Sequence, residues 1–125
     1  TTKGILEKAK AHAGDVDFEV QPELLSLLSN RDFGRYADEK GEMNVCFISN
    51  NDITGGNSGS AMFNAKGELL GLAFDGNWEA MSSDILYEPK MQRCIGVDVR
   101  YILFMIEKYG KAGNLIRELK IASGK

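Results

Sequence analysis

The chain has 125 residues, 43% of them hydrophobic and 26% charged, and it carries a formal net charge of −3 at pH 7. This length and composition predict one globular domain and exclude a disordered tail. The acidic balance argues against nucleic acid as a partner, because nucleic-acid-binding surfaces are basic. The longest apolar run, residues 101–106, is too short to span a membrane.

The first third of the chain predicts helices. Residues 2–12 place Ile5, Leu6 and Ala9 on one apolar stripe, with Lys and Glu between them. A second helix is expected to begin at Pro22, because proline is well tolerated in the first turn and a leucine-rich run follows it.

The middle of the chain predicts strands, and helices return after it. Four short runs rich in β-branched and aromatic residues indicate the strands, at residues 44–49, 60–64, 68–74 and 93–99. The second and third are joined by Ala-Lys-Gly and predict a hairpin. Residues 100–110 and 114–121 then predict closing helices. Short strands joined by tight turns favour a small barrel or sandwich over βαβ units, so the expected class is mainly β with flanking helices.

The residues that most often bind metals are scarce. The spacing of Cys46 and Cys94 matches no metal motif, and His12 is the single histidine. We expect no metal and no cofactor. Both cysteines are predicted to be small buried side chains, and we favour free thiols because a cross-strand disulfide is strained. His12 lies in a Lys-rich helical stretch and is assigned no role.

The loop at residues 55–60, Gly-Gly-Asn-Ser-Gly-Ser, precedes the hairpin directly. A serine hydroxyl is a weak nucleophile until a base takes its proton, and acyl transfer also needs backbone N–H groups aimed at the developing oxyanion. A glycine two positions before Ser58 lets the N–H groups of Gly56 and Ser58 converge, and Gly59 leaves room for substrate. The alternative is a connecting loop that happens to be rich in Gly and Ser.

Residues 54–77, TGGNSGSAMFNAKGELLGLAFDGN, resemble the active-site segment of chymotrypsin-fold serine peptidases. They are similar to glutamyl endopeptidases of the staphylococcal kind, and more similar to the bacterial chymotrypsin-fold dipeptidyl-peptidase family, whose members include dipeptidyl-peptidases seven and eleven. Residues 32–60, 71–85 and 94–110 support that family, so the resemblance covers nearly the whole chain.

The resemblance implies a fold and a catalytic residue. The chain would be the C-terminal part of a trypsin/chymotrypsin-like double β-barrel. Residues 1–35 would lead in from an inserted helical domain, and residues 36–125 would form the C-terminal barrel segment with its closing helices. Ser58 would be the nucleophile, and the N–H groups of Gly56 and Ser58 would form the oxyanion hole. The histidine and aspartate of the triad would lie outside this chain, so the chain alone is expected to be inactive.

Two further residues would recognise the substrate. Asp75, which follows an apolar strand, would pair with the α-amino group of the substrate and so limit the enzyme to releasing dipeptides; the alternative is a turn-forming Asp-Gly pair. At Gly76, acid-specific members of the family carry arginine. Glycine there predicts the dipeptidyl-peptidase seven type, which prefers a non-acidic, hydrophobic residue before the scissile bond.

The remaining expectations concern binding partners and cellular location. The chain begins with Thr1 rather than Met, and we interpret it as a piece of a longer protein. Its predicted partners are peptide substrates and the rest of the parent chain, with a possible homo-oligomer. The resemblance implies the periplasm or cell surface of a Gram-negative bacterium. The rival hypothesis is a non-catalytic interaction domain that keeps a peptidase-like scaffold.

Overall fold

The structure, a computed structural model, describes residues 1–82 and 85–122. Contacts between Cα atoms divide the chain into two units. One contains both ends of the chain, up to Val45 and from Arg100, and the other is the central segment Cys46–Val99. This division does not test the boundary expected after residue 35, which concerns where each segment belongs in a longer protein.

The helices lie where the sequence predicts them. They are α1 (Thr2–Ala11), α2 (Pro22–Ser29), α3 (Val99–Phe104) and α4 (Gly113–Glu118). A π-helical segment, Met105–Tyr109, continues α3. The predicted helix at 100–110 is therefore α-helical in its first part and π-helical in its second. The predicted last helix ends early, because Leu119 turns to an extended conformation (φ −90°, ψ 139°).

The terminal unit has a small apolar core. Its buried members are Leu28 of α2, Phe104 of α3, and three residues of the intervening segment, Phe33, Tyr36 and Met43. The rings of Phe33 and Phe104 meet edge to face at 6.1 Å, a favourable aromatic geometry. This core gives the helices a partner for their apolar stripes.

The central unit is built on one antiparallel sheet. Its strands are β1 (Cys46–Ser49), β2 (Ala61–Phe63), β3 (Leu69–Gly76) and β4 (Cys94–Asp98), in the spatial order β1-β4-β3-β2. All four predicted strands are present. The helices hold more of the described residues than the strands do, so the sheet organises this unit and not the whole chain. Closure of these strands into half of a double barrel remains a prediction.

The hairpin between β2 and β3 is confirmed, and its turn is held by one side chain. The carboxamide oxygen of Asn64 accepts the N–H groups of Lys66 and Glu68 at 2.9 and 3.0 Å. Gly67 has a φ of +75°, a conformation that L side chains rarely adopt. The predicted Ala-Lys-Gly turn is therefore present, and the side chain that holds it, Asn64, comes from the end of the predicted strand at 60–64.

The two cysteines are free, as predicted, although they lie on neighbouring strands. Cys46 is opposite Val97 in the register, whereas Cys94 is opposite Ser49. Cys94 is buried, and that burial raises the pKa of its thiol. The expectation that both are buried is wrong for Cys46, which is exposed at the first position of β1.

Within the described residues no helix has the length and apolar character needed to span a membrane. In the same residues, no group of three or more His, Cys, Asp or Glu side chains is placed to hold a metal ion.

Candidate functional site

The loop between β1 and β2 is fixed by its own hydrogen bonds. Thr54 N–H donates to the side-chain oxygen of Asn57 at 3.0 Å, and Asn57 N–H donates back to the Thr54 carbonyl at 3.2 Å. Gly56 and Gly59 have φ values of +93° and +84°, in the left-handed region that glycine adopts at no steric cost. Ser58 therefore lies in a constrained turn between two glycines that the backbone geometry requires.

A second set of hydrogen bonds joins this loop to β3. Gly59 N–H donates to the Ala73 carbonyl and Ala73 N–H donates to the Ser60 carbonyl, both at 2.8 Å. The β2–β3 ladder thus continues into the loop and fixes Ser58 beside the end of β3. Ser58 is exposed. In the part of the chain that the structure describes, the backbone N–H groups of Gly56 and Ser58 donate to no other protein group.

A β-bulge interrupts β3 at this point. Ala73 pairs with Gly96 and Asp75 pairs with Ile95, so Phe74 is an extra residue in the strand. Bulges re-aim side chains and are common beside active sites. The Phe74 side chain is 60% exposed, and Asp75 is exposed as well.

The loop and the bulged strand enclose one side of a cleft of about 260 Å³. From the loop come Thr54, Gly55 and Ser58; from β3 come Phe74, Asp75 and Gly76; the short helix after β3 adds Ala80 and Met81. The structure therefore brings three predicted site residues, Ser58, Asp75 and Gly76, to a single cleft. Gly56 belongs to the same loop but does not line the cleft.

Asp75 is the ionisable group among the described residues that line this cleft. One carboxylate oxygen accepts the N–H of Gly76 at 2.8 Å, which fixes the direction of the side chain. The rest of the carboxylate can accept hydrogen bonds from a cation. The alternative reading, a turn-forming aspartate, accounts for this backbone hydrogen bond but not for the place of Asp75 opposite Ser58's loop.

The wall beyond Gly76 is a short 3-10 helix, Trp78–Ser82, and sequence reasoning missed its role. Asn77 holds it in place. The Asn77 side chain donates to the Met91 carbonyl at 2.9 Å and accepts the Arg93 N–H at 2.8 Å, and its own carbonyl accepts the Ala80 N–H at 2.9 Å. The one signal in the sequence was an asparagine directly after a strand.

A buried glutamine organises the segment that follows. Gln92 is 3% exposed and donates to the Ser82 hydroxyl at 3.2 Å and to the Leu86 carbonyl at 3.0 Å. Ser83 and Asp84, part of the loop whose role the sequence left open, lie outside the described residues. Trp78 is 81% exposed.

The single histidine belongs to the other unit. His12 follows α1 and stacks on Phe18, with ring centroids 4.1 Å apart and an interplanar angle of 17°. The central unit, which carries Ser58, therefore contains no histidine that could act as a base.

Comparison with known proteins places the chain among peptidases. The family model of peptidase S46 matches residues 1–121. Dipeptidyl-peptidase 7 of Porphyromonas endodontalis is 56% identical over 124 residues, which are 99% of this chain and 15% of the relative. An Asp/Glu-specific dipeptidyl-peptidase of Capnocytophaga gingivalis is 49% identical over 121 residues, which are 97% of this chain and 17% of the relative.

Solved structures agree with these relatives. The crystal structure of Porphyromonas endodontalis DPP11 in complex with the dipeptide Arg-Glu matches with a TM-score of 0.88 and 43% identity, over 93% of this chain and 16% of that one. The chain thus spans less than a fifth of the length of the relatives it matches. A family match over almost every residue, supported by relatives of about half identity, is decisive: the chain belongs to the peptidase S46 family.

Proposed function

We propose that this chain is the nucleophile-bearing segment of a longer serine-type dipeptidyl-peptidase, which releases N-terminal dipeptides with a hydrophobic, non-acidic residue before the scissile bond. One observation carries the proposal: Ser58, on a constrained loop fixed to β3, shares a single cleft with Asp75 and Gly76. The names of the relatives support the reaction class.

The proposed chemistry is acyl transfer in two steps. The Ser58 hydroxyl attacks the scissile carbonyl while a base from elsewhere in the parent protein takes its proton. The C–N bond breaks, the amine leaves with that proton, and a seryl ester remains until water hydrolyses it. The free N–H groups of Gly56 and Ser58 are the proposed donors to the oxyanion.

Asp75 sets the length of the product in this proposal. Its carboxylate would pair with the ammonium group of the substrate, so cleavage falls after the second residue. Gly76 gives the cleft wall no charge, which leaves an acidic substrate side chain without a partner. Some relatives are named Asp/Glu-specific dipeptidyl-peptidase and others dipeptidyl-peptidase 7, a name that states no acidic preference.

The setting of the enzyme is proposed from family resemblance. We place it in the periplasm or at the cell surface of a Gram-negative bacterium, with the remainder of the parent chain as the main partner of this segment. Exposed large apolar side chains in the central unit, among them Ile48, Phe63 and Trp78, support contact with further protein, either the parent chain or a second copy.

The test is covalent labelling of the full-length protein with a fluorophosphonate. We expect one labelled peptide, which carries Ser58. Ser58→Ala should abolish the label and lower turnover of a dipeptide reporter by roughly four to six orders of magnitude. Ser60→Ala is the matched control, because Ser60 lies in the same loop but outside the cleft, and it should keep both. No label at Ser58 in an intact full-length protein would favour the rival, a non-catalytic interaction domain.

A further inference from the structure

We propose that Ala80 is a specificity-determining residue of this cleft and that it acts as a pair with Gly76. Ala80 limits the size of the side chain that position 76 can carry. In this way it decides which type of substrate side chain the cleft accepts. This inference rests on the proposed function, because it concerns the substrate of the same site.

The close approach of residues 76 and 80 is the first step. A Cβ atom added at Gly76 would lie 2.8 Å from the Cβ of Ala80, 3.5 Å from Cγ2 of Ile53 and 3.8 Å from the Arg93 carbonyl oxygen. Carbon atoms that are not bonded to each other prefer separations of about 3.5–4.0 Å. The methyl group of Ala80 therefore occupies the space that a side chain at 76 would need.

Ala80 has little freedom to give way. It is 9% exposed, and its N–H donates to the Asn77 carbonyl at 2.9 Å. The Asn77 side chain in turn is bound to Met91 and Arg93 at 2.9 and 2.8 Å, on the segment that enters β4. The short helix that presents Ala80 is thus tied at its start, and a larger side chain at 76 has to displace a fixed methyl group.

Ala80 also lines the cleft itself. It does so together with Ser58 and Gly76, so its size changes the volume left for a substrate side chain. One methylene in an apolar pocket shifts the choice between substrates by about tenfold or more. The sizes at 76 and 80 are therefore expected to trade against each other: a side chain at 76 requires glycine at 80.

The first experiment changes Ala80 alone in the full-length enzyme. We expect Ala80→Gly to raise the ratio of kcat/KM for a Leu-Phe reporter to that for a Leu-Ala reporter, by about tenfold, and Ala80→Val to lower it by a similar factor. Ala65→Gly is the matched control, because it makes the same change at an exposed turn residue outside the cleft. Its ratio should equal that of the wild type.

The second experiment is a double-mutant cycle with Gly76→Arg. Alone, this variant should lose turnover of Leu-Leu and Leu-Asp reporters and unfold at a lower temperature, because Ala80 blocks the new side chain. Combined with Ala80→Gly, it should recover turnover of Leu-Asp in preference to Leu-Leu, since arginine pairs with a carboxylate. The change in unfolding temperature of the double variant should differ from the sum of the changes in the two single variants.

Two results have different meanings. If turnover depends on Ser58 but the reporter ratio is the same in wild type, Ala80→Gly and Ala80→Val, the inference is wrong and the proposed function stands. If wild-type enzyme shows no Ser58-dependent turnover of any dipeptide reporter, the proposed function fails, and the inference about its substrate fails with it.

Discussion

At the scale of single residues, Asp75 is the group whose role is open to the sharpest test. Its carboxylate is exposed in the cleft and is oriented by the N–H of Gly76. We expect Asp75→Asn in the full-length enzyme to lower kcat/KM for dipeptide reporters with a free amino group. The expected loss is about 2–5 kcal/mol of transition-state stabilisation, the scale for a charge pair that becomes buried when the substrate binds. The wild type should reject the same reporters when they are N-acetylated.

Asp52 offers a matched control for that variant. Its carboxylate accepts the N–H of the next residue, Ile53, at 2.9 Å, the same local hydrogen bond that Asp75 makes at 2.8 Å, but Asp52 does not line the cleft. Asp52→Asn should leave turnover of both reporters unchanged. Equal cleavage of free and acetylated reporters by the wild type would show that Asp75 serves only the turn.

At the scale of elements, the short helix Trp78–Ser82 depends on Asn77. Asn77→Ala removes the side-chain hydrogen bonds to Met91 and Arg93, so it should destabilise the protein by about 1–3 kcal/mol and also lower kcat/KM. Asn64→Ala is the comparison, because the Asn64 side chain also holds a turn by hydrogen bonds to backbone groups, but at the β2–β3 turn rather than beside the cleft. We expect it to lower the free energy of unfolding and to leave kcat/KM unchanged.

A fall in kcat/KM of equal size in both asparagine variants would contradict the role of Asn77 in positioning the wall of the cleft. Urea unfolding measures the stability of each variant, and the reporter ratio between Leu-Phe and Leu-Ala measures the shape of the cleft. Only loss of Asn77 should move that ratio.

Two glycines of the sheet are required by neighbouring strands. A Cβ atom at Gly71 would lie 2.0 Å from the Val97 carbonyl oxygen, whereas one at Gly96 would meet side-chain ends, the Phe47 ring at 2.6 Å and the Met62 sulfur at 2.8 Å. Side-chain ends move more easily than backbone. We therefore expect Gly71→Ala to lower the free energy of unfolding by more than about 3 kcal/mol and Gly96→Ala to lower it by about 1–3 kcal/mol.

The control for these variants should change the stability in the opposite direction. Gly4 lies inside α1 with no atom near its absent Cβ, so Gly4→Ala is expected to stabilise the chain by about 1 kcal/mol. Urea unfolding of the three variants gives the order of their stabilities directly. A Gly71→Ala variant as stable as the wild type would contradict the register of β3 against β4.

The sequence predicted the elements well because their signals are local. Proline at residue 22, the Ala-Lys-Gly turn and the runs of β-branched and aromatic residues each act within a few residues. The bulge at Phe74 arises from pairing of β3 with β4, about twenty residues further on. The short helix that brings Ala80 to Gly76 is held by hydrogen bonds that join Asn77 to Met91 and Arg93. No local pattern encodes these long-range pairings, so the site's loop was predictable and its wall was not.

At the scale of the whole molecule, the proposed function requires more than this cleft holds. Its cleft contains Ser58 and, among the described lining residues, Asp75 as the ionisable group. A serine hydroxyl needs a base within hydrogen-bond reach, about 2.6–3.2 Å. The single histidine, His12, belongs to the terminal unit and stacks on Phe18. The chain's relatives are about six times longer, so there is ample protein to supply a base.

We therefore expect the isolated 125-residue chain to be inert toward dipeptide reporters, because the described residues that line its cleft include no histidine and the proposal assigns Asp75 to the substrate's ammonium group. The measurement compares the isolated chain, the same chain with Ser58→Ala, and the full-length enzyme at equal concentration. Only the full-length enzyme should release the fluorophore above the rate of the Ser58→Ala variant. Hydrolysis by the isolated chain that disappears in that variant would mean that the base lies within these 125 residues, and the search would then turn to His12.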